Sequence, residues 1–113
     1  MEELYRRWLL ELWHGAYDVA DAIIAPGFAG HWPEQEVSGR DALVALIRST
    51  RDMFDTLEFR LAVGPLVDGE LVAARWTGIG RTAEGELPLL GHDILRVADG
   101  RFAEYWVASW APS

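Results

Sequence analysis

Two residues of this 113-residue chain are of types that move protons and stand in unusual settings. Asp93 lies in "GHDILRV" (91–97), where Leu95 and Val97 mark the apolar face of a strand and Asp93 has the same parity. A carboxylate on a buried face is desolvated, which disfavours its charged form and raises its pKa. A carboxyl kept neutral near pH 7 can donate a proton, or a strong hydrogen bond, to a developing oxyanion. The structural alternative is an Asp satisfied by a Trp indole, a Tyr hydroxyl or a backbone group, with no chemistry. His31, in "GHWP" (30–33), is the second: its ordinary pKa lies near working pH, so it is a candidate general base, or else a brace for the chain before Pro33. His92 alternates with Asp93 and points away from it. His14 closes the first helix, where a protonated ring suits the dipole.

Large rings accompany these groups. The chain has 6 Trp, and Trp8, Trp32, Trp76, Trp106 and Trp110, with Phe59, are candidate walls of a pocket for a flat organic ligand, or else core.

The elements that must position these residues fall into two halves. Tyr5, Trp8, Leu9, Leu12 and Trp13 follow the i, i+3, i+4, i+7, i+8 spacing of one helical stripe, with Gly15 as a stop. "AYDVADAII" makes a short second helix, and "FAGHWP" a short strand or extended turn. Ser38 and Asp41 form a variant capping box for a third helix that ends near Phe54. Strands follow at about 57–67, 70–82, 87–97 and 102–110, divided by Asp68-Gly69, Glu84-Gly85 and Asp99-Gly100. Helices followed by a run of antiparallel strands predict one α+β domain over 1–113. Counting from two-residue turns pairs Leu61 with Trp76, Trp76 with Asp93, and Asp93 with Trp106. The carboxylate then sits between two tryptophans on the face that meets the helices, with Gly78, Gly91 and Ala108 beside it. The opposite face carries Arg60, Arg75, His92, Arg96 and Tyr105 among Ile79, Ile94 and Val107. A single bulge would reverse these assignments.

Charge and composition narrow the function. A formal charge of −8 argues against nucleic acid and anionic membranes as partners. With no Cys, thiol catalysis, disulfides and thiolate metal sites are excluded, and three scattered His without ligand spacing argue against a metal. There is no phosphate loop, no nucleophile elbow and no apolar run long enough to span a membrane. The N-terminus does not read as a signal peptide, so a soluble, cytoplasmic protein is expected.

"GHDILRVADGRFAEYW" resembles the C-terminal hairpin of the SnoaL-like polyketide cyclases, within the superfamily of nuclear transport factor 2 and ketosteroid isomerase. Asp93, Arg96, Asp99-Gly100-Arg101 and Glu104…Trp106 carry the likeness. "GHWP", "VSGRDAL" and "VAARWTGIGR" extend it over nearly the whole chain. The resemblance implies a cone: a strongly curved antiparallel sheet wrapped by three N-terminal helices, open to a pocket at one end and dimerising through the other sheet face. It implies cofactor-free and metal-free aldol cyclisation with Asp93 as acid/base. In the isomerases a second Asp on the short strand and a Tyr on the first helix assist. This chain has Gly30-His31-Trp32-Pro33 and Arg7-Trp8 near those places, which disfavours steroid isomerisation. The expectation is an acid/base enzyme acting on a small apolar or aromatic carbonyl compound, with Asp93 and His31 catalytic. The alternative is a non-catalytic binding or dimerisation module of the same fold.

Overall fold

The computed structural model describes residues 1–111; Pro112 and Ser113 of the expected domain lie outside the described residues. Helix α1 spans Glu2–Leu10 and runs into a 3-10 turn, Leu12–His14, that stops at Gly15 in the left-handed region (φ 101°). The stripe turns Tyr5, Trp8, Leu9 and Leu12 into the core. Fully burying one such large side chain contributes roughly 1.5–3 kcal/mol. A second 3-10 turn leads to α2, Ala20–Ile23.

Strand β1 follows at once, Ile24–His31, and β2, Glu36–Ser38, pairs antiparallel with it. Pro26 is tolerated because it falls where the ladder to the neighbouring strand is irregular, between Ile24 and Ala29. The expected capping box is not made. The N-cap of α3 (Arg40–Asp52) is Gly39 at φ 93°, with no side-chain cap. Its N–H instead bonds the Phe28 carbonyl at 2.6 Å, and Arg40 fastens the helix start to β1 by donating twice to the Ile24 carbonyl.

Four long strands complete the chain: β3 Thr56–Asp68, β4 Leu71–Thr82, β5 Gly85–Ala98 and β6 Arg101–Trp110. The fold is α+β as expected, three helices on a six-stranded curved and unclosed sheet of order β2-β1-β6-β5-β4-β3. The sheet is not purely antiparallel, because β1 lies parallel to β6.

Register departs from simple turn counting in three places. The first hairpin turns at Gly69 and Glu70, one residue later than expected, and irregularities near Val63 restore the expected pair Leu61↔Trp76. The second closes Thr82 on Gly85, so Trp76 faces Gly91 and Asp93 faces Ala74. In the third, a shift between Arg96 and Val97 pairs Asp93 with Val107 and Ile94 with Trp106. The bulge leaves Asp93 inward but exchanges the faces of its neighbours on β6. Tyr105 and Val107 turn in, and Trp106 turns out and is 37% exposed. Trp106 as a pocket wall is thereby corrected.

Candidate active site

Asp93 is 2% exposed and is the one buried charged side chain among the described residues. Three elements aim donors at it. From α1, the Tyr5 hydroxyl donates to Oδ2 at 2.8 Å. From β4, Trp76 Nε1 donates to Oδ1 at 3.0 Å, and from β6 the Tyr105 hydroxyl donates to the same oxygen at 2.6 Å. Gly91 makes the Trp76 contact possible. The indole lies across the Gly91 backbone, where a Cβ would collide with the ring, and so reaches the carboxylate two residues along.

Burial drives the Asp93 pKa up, against the pull of hydrogen bonds from Tyr105, Trp76 and Tyr5 that favour the anion. Burial and the adjacent carboxylate also raise both tyrosines, so their hydroxyls stay protonated. The indole N–H can only donate, which keeps Oδ1 an acceptor. A proton on Asp93 therefore belongs on Oδ2, the oxygen that takes one hydrogen bond, from Tyr5.

Asp93 and Tyr105 lie on the floor of a cavity of about 380 Å³, within the roughly 300–1,000 Å³ of small-molecule sites. Its walls include Trp8, Trp13, Trp32, Phe59, Trp76 and Trp110, and Glu34, Gln35, Thr50 and Ser109 add polar atoms. Trp8 packs at 4.8 Å, centroid to centroid, on Tyr105, and Trp32 meets the same ring edge-on at 5.1 Å. Of the rings expected from the sequence, Trp8, Trp32, Phe59, Trp76 and Trp110 line the cavity, and Trp106 does not.

His31 is not brought to Asp93. It lies outside the cavity lining, its ring stacked at 5.6 Å on Trp106. Nδ1 is 2.7 Å from Glu36 Oε1 and Nε2 is 2.7 Å from Glu104 Oε2. Hydrogen bonds to those carboxylates raise its pKa, so the ring is held as an imidazolium rather than the neutral base expected. Glu104, which also accepts from Arg96 at 3.2 Å, is pushed down by the same contacts. His14 is structural by a different route than expected. Its Nε2 accepts the Phe59 N–H at 2.9 Å and burial lowers its pKa, so it is neutral.

Sequence reasoning missed Tyr5 and Tyr105 as partners of Asp93. Tyr5 was visible in the helical stripe, and it supplies a first-helix hydroxyl where Arg7-Trp8 suggested none. Tyr105 was hidden by the bulge.

The curved, unclosed sheet with three helices is the nuclear transport factor 2-like fold. A family profile for the SnoaL-like domain matches residues 5–105, and the chain belongs to that family. Among solved structures, it is similar to a proposed SnoaL-like polyketide cyclase from Jannaschia sp. CCS1, at 21% identity and TM-score 0.84, covering 95% of this chain and 83% of that one. IdmH from Streptomyces antibioticus, a proposed polyketide cyclase, aligns at 18% identity and TM-score 0.81 over 95% of this chain and 89% of its own. An NTF2-like protein of unknown function from Exiguobacterium sp. 255-15 aligns at 21% and 0.77 over 95% and 98%. At these identities the likeness carries the fold. No curated protein matches the sequence. Among the described residues, no helix is long and apolar enough to cross a membrane.

Proposed function

We propose that the chain is a cofactor-independent acid/base enzyme acting on a small apolar carbonyl compound, by cyclisation or isomerisation. The observation that carries this reading is a buried carboxyl, without a cationic partner, in the lining of an aromatic cavity. Neutral Asp93 donates from Oδ2 to the carbonyl oxygen of the bound compound, with the Tyr105 hydroxyl beside it, and stabilises the enol formed as solvent water takes a proton from the neighbouring carbon and later returns one. Both reaction types conserve the atoms of the substrate and require only that a proton leave one atom and return to another. Asp93 is the catalytic residue of this reading; Trp8, Trp32, Phe59, Trp76 and Trp110 hold the ligand. His31, bound by two carboxylates outside the lining, is not part of it.

The test is exchange of the α-hydrogens of 2-tetralone, a flat ketone, for deuterium in D₂O, followed by proton NMR. The wild type accelerates exchange and Asp93→Asn, still folded, loses at least about 100-fold, as expected for a general acid. Equal rates in the two proteins would refute the assignment.

One observation favours a second reading, a pocket that binds without reacting. Both Asp93 oxygens already accept hydrogen bonds from protein donors. Saturable 2-tetralone binding without accelerated exchange would select it.

A second copy of the chain is the other proposed partner, through the outer sheet face. There Ile79, Ile94 and Trp106 are 37%, 44% and 37% exposed. Sedimentation should give a dimer that Ile94→Glu dissociates, and a wild-type monomer at high micromolar concentration would contradict this.

A further inference from the structure

Resting on the reading of the cavity as a small-molecule pocket, we propose that its ligand carries an amine cation on an aromatic or apolar body, and that carboxylates and phosphates are excluded. The carboxyl groups lining the cavity are those of Glu34 and Asp93; no arginine or histidine joins them. Lysine cannot, since the ten basic residues of the chain are all arginine.

None of the seven basic residues that adjoin a lining residue in sequence lines the cavity: Arg60, Arg75 and His92 are exposed beside the inward Phe59, Trp76 and Asp93, Arg7 pairs with Glu11, and the other three are engaged elsewhere. Arg51 follows the lining residue Thr50, but its Nη1 donates to the carbonyls of Trp13 and Leu57 at 2.8 and 2.9 Å. His14 follows Trp13, but its Nε2 accepts a backbone N–H and therefore carries no proton. The imidazolium of His31 is spent on Glu36 and Glu104 outside the cavity. At the rim, exposed Glu34 has no salt-bridge partner among the described residues.

An anion entering this space leaves its hydration shell and finds no counter-charge. It also meets the negative faces of several indoles, inside a chain of net charge −8. A cation is desolvated as well, but the charges and ring faces it meets are of the opposite, favourable sign. Ring faces attract it, most strongly those of Trp, and the Glu34 carboxylate stands at the entrance. The apolar remainder of the ligand fills the space between the rings.

Three probes of one size and different charge test this: 2-naphthylmethylamine, 2-naphthylmethanol and 2-naphthoate. Each is titrated at pH 7 into the isotope-labelled protein, following the tryptophan indole N–H signals by NMR. The amine is expected to bind about tenfold more tightly than the alcohol, and the naphthoate not to saturate. Glu34→Gln should narrow the margin between amine and alcohol, and so should added salt. Naphthoate binding as tightly as the amine, or an amine no tighter than the alcohol, overturns the charge preference and leaves the pocket reading standing. If none of the three moves an indole signal, the pocket reading falls and takes this inference with it.

Discussion

Asp93 and His31 sit on opposite faces of one sheet, each at the centre of a polar cluster, and the clusters obey opposite rules. Around Asp93 the partners are neutral donors, two hydroxyls and an indole, and the residue is almost wholly buried. No full positive charge compensates the carboxylate, so burial dominates and its pKa rises. Around His31 the partners are charged and partly exposed. Hydrogen bonds between opposite charges dominate, raising the histidine and lowering Glu104. Both groups hold their protons more tightly than usual, the first because burial disfavours its anion and the second because carboxylates face both ring nitrogens. A group poised for proton transfer needs the first environment. The second makes a clasp between β1, β2 and β6.

The sharpest way to break this comparison is to remove each centre. Asp93→Leu strands the Trp76 N–H and both hydroxyls without an acceptor, at about 1–3 kcal/mol for each buried donor. Asp93→Asn keeps an acceptor for Trp76 and Tyr105 and can donate to Tyr5, so it should cost about 1 kcal/mol or less. Urea unfolding of both variants checks this, and equal losses would mean that the donors do not depend on the carboxylate. The clasp should give a smaller effect with a distinct pH dependence. Because the folded pKa of His31 is raised, its contribution is fully present below the unfolded value of about 6.5 and is lost as pH rises through the folded value. The stability difference between wild type and His31→Gln should therefore shrink as pH rises through neutrality. A difference independent of pH would show that the ring acts by packing on Trp106 alone.

Much of the architecture was legible because its signals are local. The helical stripe from Tyr5, the Asp99-Gly100 turn and the alternation around Leu95 and Val97 each fix an element within a few residues. The inward Asp93 was legible for the same reason, and the structural alternative weighed for it, a carboxylate held by indole and hydroxyl donors, describes its partners. Misread were the features set by pairing between strands. The bulge at Arg96 and Val97 exchanges Tyr105 for Trp106 on the inner face, and no residue type there announces it. The parallel pairing of β1 with β6 joins segments far apart in sequence, and β2 is only 3 residues long. His31 was misassigned in consequence, since its partner Glu104 reaches it only through that pairing.

The central claim is that Asp93 is a protonated, desolvated acid on the cavity floor. The measurement that tests it most directly is the carbon-13 shift of its carboxyl against pH, assigned with Asp93→Asn. The midpoint is expected well above the ordinary value of about 3.9, with wild-type stability falling, relative to Asp93→Asn, as pH rises from that value through the midpoint. A midpoint at or below the ordinary value would contradict it: the hydrogen bonds from Tyr5, Trp76 and Tyr105 would then outweigh burial, and Asp93 would be an anchoring carboxylate rather than a proton donor.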